Sequence, residues 1–120
     1  QSQIVGTKLA KDLVEQATSE TGVAAALTWS RAQDAFTFLK DERNALQAAR
    51  NAVASNPHEY ALRKKLVNLL VAQKKFEEAV PLLEWCLKQY PENSALKESL
   101  FQARSQIQQA SFTTDTTQRQ

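Results

Sequence analysis

An all-α fold of about six helices is what the sequence predicts, and three observations carry that prediction. Helix breakers are scarce: the 120 residues include 2 Gly and 3 Pro, while alanine, leucine, glutamine and lysine are common. No alternating run of Val, Ile, Thr and Tyr is long enough to make a strand. Apolar residues instead recur three and four apart, in stretches separated by short polar turns, which is the spacing of amphipathic helices.

The elements follow in order. Residues 4–19 place Leu9, Leu13 and Ala17 four apart, with Ala10 and Val14 beside them, in one stripe broken at Thr21-Gly22. A second helix is expected over about 23–39, with Leu27, Trp29, Ala32, Ala35, Phe36, Phe38 and Leu39 giving a wide apolar surface. Asp41 is placed to cap a third helix, which runs to about Ala54 through Ala45, Leu46, Ala49, Ala52 and Val53. SNPHEY reads as the next helix start, with Asn56 as cap, Pro57 where no donor is missed and Glu59 at the reciprocal position. That fourth helix continues to about Ala72 through Leu62, Leu66, Leu69 and Leu70. A fifth is expected over about 76–89, with Pro81 in its first turn or two, and a sixth from near Asn93 through Leu96, Leu100, Phe101 and Ile107. Residues 111–120 lack periodicity and are expected to form a flexible tail.

Two stretches, ALQAARNAVASNP at 45–57 and AVPLLEWCLKQYP at 79–91, end on prolines 34 residues apart. Superimposing them gives a repeat over 26–59 and 60–93, with Trp29, Phe36, Ala45, Ala49, Ala52 and Pro57 in the first copy. Leu66, Leu70, Ala79, Leu83, Cys86 and Pro91 fill the corresponding inward sites in the second. Small residues at 45 and 79 suit the point where two helices of a hairpin cross closest, because a larger side chain would prise them apart.

This pattern resembles the tetratricopeptide repeat family. Trp29, Phe36, Ala45, Ala52 and Pro57 match its aromatic, alanine and proline positions, as do Leu66, Ala79 and Pro91. Ala32 stands for the family's leucine, Gln33 and Val67 for its small residue, and Cys86 for its second alanine. The resemblance implies antiparallel helix pairs stacked as a short right-handed solenoid. Residues 1–22 would be an N-terminal cap helix, 23–93 two helical hairpins and 94–110 a C-terminal capping helix.

The family's peptide ligands lie along the first helix of each pair. Carried over residue by residue, that face comprises Leu27, Ser30, Asp34, Thr37 and Phe38, then Ala61, Lys64, Asn68, Val71 and Ala72, with Glu98 and Gln102 added by the capping helix. Lys64 and Asn68 are four apart, and their spacing is similar to the start of the family's carboxylate clamp. The clamp's next asparagine is Ser99 here, so a solvated lysine and a surface amide is the preferred reading. Trp29 is assigned to the core, whereas Phe38 faces the ligand side. Arg63, Lys64 and Lys65 read as a wet helix face rather than a basic patch.

Catalysis is not expected. The one histidine, His58, lacks a positioned partner, since Glu59 is adjacent in sequence and neighbours on a helix do not face each other. The one cysteine, Cys86, sits at a tight packing site, which suits an inert thiol and excludes an internal disulfide. No phosphate loop or zinc spacing is present, so no cofactor and no metal are expected. Net charge is +2 with both signs interspersed, which does not indicate a nucleic-acid partner, and no apolar run suggests membrane insertion. The start at Gln1 and the lack of methionine point to a processed form or segment of a longer chain, soluble and of unassigned location. The function expected is therefore a non-enzymatic module binding a protein or peptide. The alternative is an architectural spacer or a dimerisation segment, for which self-association is the signature.

Overall fold

The computed structural model describes the backbone of residues 2–119 and the side chains of residues 4–111. It is all-α over those residues, with α1 (Ser2–Thr18), α2 (Gly22–Phe38), α3 (Glu42–Ser55), α4 (Tyr60–Ala72), α5 (Phe76–Gln89) and α6 (Ser94–Arg119). Contacts divide the chain into two compact units, Gln1–Leu66 and Val67–Gln120. The tail expected at 111–120 falls on residues whose side chains, after Ser111, lie outside the described ones.

Local chemistry explains most of the helix ends. Asp41 caps α3, its carboxylate accepting from the Asn44 backbone N–H at 3.2 Å. Asn93 does the same for α6, accepting from Leu96 N–H at 3.0 Å. SNPHEY behaves differently from its reading. Asn56 closes α3, its N–H returning to the Ala52 and Val53 carbonyls, and Pro57-His58 form a turn before α4 begins at Tyr60. The chain needs that extra turn to reverse direction, so Pro57 precedes the helix instead of opening it.

The 34-residue period is written into the backbone hydrogen bonds. Asp41 N–H reaches the Phe36 carbonyl at 2.9 Å and Lys75 N–H reaches the Leu70 carbonyl at 2.8 Å, with matching bonds from Lys40 to Thr37 and from Lys74 to Val71. Each set closes a helix C-terminus around one left-handed residue, and Lys40 and Lys74 both have φ of 60°. The turn after each second helix also repeats, Glu59 N–H bonding the Asn56 carbonyl and Asn93 N–H the Tyr90 carbonyl. Such agreement has no cause in an arbitrary bundle, and it identifies α2–α3 and α4–α5 as copies of one antiparallel pair.

In the first unit α1 packs on α2 and α2 on α3. The α1–α2 pair is antiparallel: Gly6 lies against Leu39 and Phe38, while Gln16 Nε2 sits 3.5 Å from the Thr28 hydroxyl. The buried positions are mainly alanines: Ala10 and Ala17 of α1, Ala25, Ala26, Ala32 and Ala35 of α2, and Ala45, Ala48, Ala49 and Ala52 of α3. One methyl per residue buries little area, so alanine-lined helices gain chiefly by the close approach of their backbones. A Cβ on Gly6 would stand 3.0 Å from Leu39 Cδ2, which is why glycine suits the α1 side of that contact. The second unit is filled with larger side chains, Val67, Leu70, Leu83, Leu96 and Leu100, with Ala79 and Cys86 where α5 is most enclosed. There α5 packs on α6, and Arg104 of α6 holds Glu84 of α5 at 2.8 Å.

Several expected core residues lie outside. Leu9 and Phe101 are exposed, and the α1 stripe is centred on Ala10 and Ala17 instead. Trp29 and Phe36 are half-buried, and Pro57 and Pro91 are exposed in their turns.

Candidate functional site

Helix α2 carries large apolar residues on more than one side, so its periodicity alone does not say which of them are buried. The structure decides this in favour of the small residues. Ala25, Ala32 and Ala35 face the core, while Val23, Leu27 and Phe38 point outward with 71%, 53% and 66% of their surface exposed. Isolated exposed leucines need no explanation, but three large apolar residues on one helix whose inner side is alanine amount to a surface feature.

The polar residues of the same face are organised by α4. Lys65 Nζ donates to Ser30 Oγ at 2.7 Å, to Asp34 Oδ1 at 2.9 Å and, more distantly, to the Ser30 carbonyl at 3.4 Å. Ser30 and Asp34 are one turn apart, so a single ammonium reaches both. Lys65, which the sequence does not nominate, therefore holds the polar residues Ser30 and Asp34 of the nominated α2 face. Its partners lie 35 and 31 residues back in the sequence, and adjacency to Arg63 and Lys64 disguised it. Of the other nominated residues in this unit, Leu27, Thr37, Phe38 and Ala61 are exposed and Lys64 is half-buried.

In the second unit Asn68, Val71 and Ala72 of α4 are exposed, as are Glu98 and Gln102 of α6. Gln102 Nε2 donates to Glu98 Oε1 at 3.0 Å, so these two satisfy each other along the helix surface.

At the α1–α2 turn the neighbouring Thr28 hydroxyl and then Gln16, whose amide donates to Glu20 Oε2 at 3.1 Å, hold the Glu20 carboxyl below its ordinary value. Partial desolvation opposes them and the Arg31 charge assists. This is a structural polar cluster next to the exposed α2 face. Cys86 is buried and in no disulfide, and His58 is exposed. Among the described residues no three His, Cys, Asp or Glu side chains are grouped to hold a metal. No described helix is long and apolar enough to cross a membrane.

Compared with known protein families, residues 39–100, more than half of the chain, match the family model described as Tetratricopeptide repeat. No curated protein matches the sequence.

Proposed function

From the premise that the chain belongs to the tetratricopeptide repeat family, a non-catalytic fold that generally serves protein–protein interaction, we propose that it binds a peptide or partner domain on the exposed face of α2. The observation that carries this reading is the inversion of α2, alanines inward and Leu27 and Phe38 outward. Stability alone would favour burying the larger side chains, since each removes more apolar area from water at roughly 25 cal/mol per Å². Leaving them outside is accounted for by a partner that covers them. Thr37 stands exposed beside Phe38, and the Lys65-held Ser30 and Asp34 supply fixed polar contacts between Leu27 and Phe38.

The test is selection from a random-peptide library, with the bound site mapped by backbone amide shifts. Selected peptides are expected to move the signals of Leu27, Ser30, Asp34, Thr37 and Phe38. If they map only to other helices, or if the chain is a dimer that masks α2 and persists on dilution, the architectural reading replaces this one.

A further inference from the structure

Among the described residues two polar ones are buried, Thr28 at 3% and Gln33 at 6% exposure, both on α2. Thr28 is satisfied, its hydroxyl donating to the Ala24 carbonyl at 3.1 Å. Gln33 is not: among the described residues no group donates to its side-chain amide or accepts from it. Nor is the amide sealed, since the described side-chain atom closed to solvent without a partner is Glu20 Oε1. Gln33 therefore keeps its donors and its acceptor open, with a narrow opening to the surface. One repeat later the same position is Val67, buried to 1%. The place accepts an apolar side chain, and an amide there forfeits hydration without gaining a partner. Packing alone gives no reason for glutamine at 33.

The helix sets that amide at the edge of the exposed α2 face. Gln33 lies three residues after Ser30 and four before Thr37, so the three share one side of α2. Ser30 Oγ and Asp34 Oδ1 are already held by Lys65, at 2.7 and 2.9 Å. Gln33 beside them is neutral and offers donor and acceptor together. A charged group is a poor match for it. The main chain of an extended peptide is a good one, because there the N–H and C=O of one residue point to the same side, as in a strand, and a primary amide takes both at once. A helical segment offers no such pair, its N–H and C=O groups being bonded along its own axis.

We propose that Gln33 pairs with the main chain of an extended partner segment, Nε2 donating to the C=O of one residue and Oε1 accepting from its N–H. The proposal rests on the α2 reading of the binding face and deepens it, making Gln33 a specificity-determining residue that the repeat positions Leu27, Ser30, Asp34, Thr37 and Phe38 do not include. The segment is extended where it passes Gln33. Pairing with the main chain fixes its register and leaves the choice of side chains to Leu27 and Phe38.

The probe is a peptide selected from the random library against the full chain. Gln33→Met keeps the length of the side chain and removes its donors and acceptor. Its thermal midpoint is expected to hold or rise, while affinity for the peptide falls about tenfold, the size of one or two neutral hydrogen bonds. Replacing the peptide's main-chain amides one at a time by esters, which lack the N–H, should weaken binding to the parent at one position and leave binding to Gln33→Met unchanged there. The Gln33 side-chain NH2 signals of the parent, which need no variant, should shift on binding. The proposal is overturned if those signals stay still, if Gln33→Met binds as well as the parent, or if no ester acts through Gln33, the mark of a partner's side-chain amide instead. If Leu27→Ala and Phe38→Ala weaken binding where Gln33→Met does not, the α2 face stands without Gln33. If no peptide is selected, or none of the three variants changes its affinity, both readings fall.

Discussion

Lys65 of α4 donates to Asp34 of α2 at 2.9 Å across 31 residues of sequence, and the same ammonium holds Ser30 Oγ at 2.7 Å. The link joins the first helices of successive repeats. Because Asp34 is 69% exposed and Lys65 32%, solvent screens the ion pair and its worth is about 0.2–1 kcal/mol. Lys65→Ala is expected to lower stability by about that amount. A double-mutant cycle with Asp34→Ala should return a coupling of the same size, weaker at high salt. A coupling of zero in chemical denaturation would mean that the contact does not order the face.

Lys40 and Lys74 both sit at φ of 60°, a conformation that disfavours residues with a Cβ. Lys40→Gly and Lys74→Gly are each expected to stabilise by about 0.5–1 kcal/mol, the relief of left-handed strain exceeding glycine's entropic cost. The sites lie in separate turns far apart in sequence, so urea midpoints of the double variant should show near-additive gains.

Ala45 and Ala79 occupy the same place in successive copies and are exposed to only 1% and 0%. Ala45→Leu and Ala79→Leu should each destabilise by about 1–3 kcal/mol through overpacking, whereas adding the same atoms at exposed Ala61 should cost little. Thermal unfolding of the three variants checks this. Equal midpoints would show that the helices do not cross closely there.

Glu20 gives the pH dependence a sign. Its folded value lies below the ordinary 4.5, so its contribution is present above the unfolded value and is lost as pH falls through the folded one. Thermal midpoints followed from pH 7 to pH 3 should decline at the acid end, and Glu20→Gln should remove part of that decline. A variant with an unchanged acid profile would show that the Thr28 and Gln16 hydrogen bonds do not favour the ionised carboxylate.

How much was legible in the sequence depends on the kind of signal. The helix pairs were legible because a 34-residue phase ties prolines to turns and alanines to packing positions. The starts of α3 and α6 followed from Asp41 and Asn93, whose side chains act locally. Asn56 misled because a cap residue followed by proline fits a turn as well as a helix start. The outward face of α2 was legible only through repeat position, which nominated Leu27 and Phe38; side-chain size alone suggests burying Phe38 where the alanines went instead. Leu9 misled in the same way. Of the candidate site, α2 and α4 could be nominated from repeat position, but Lys65 could not, since its partners lie a whole repeat away.

The measurement closest to the central claim is a paired one on Leu27→Ala and Phe38→Ala: thermal unfolding of each variant, and affinity for a peptide selected against the parent. If the two side chains are turned outward for a partner, stability changes by no more than about 0.5 kcal/mol, as for ordinary surface sites, while affinity falls at least tenfold. Losses of about 2 kcal/mol or more in stability with affinity retained would place both residues in the core and contradict the account.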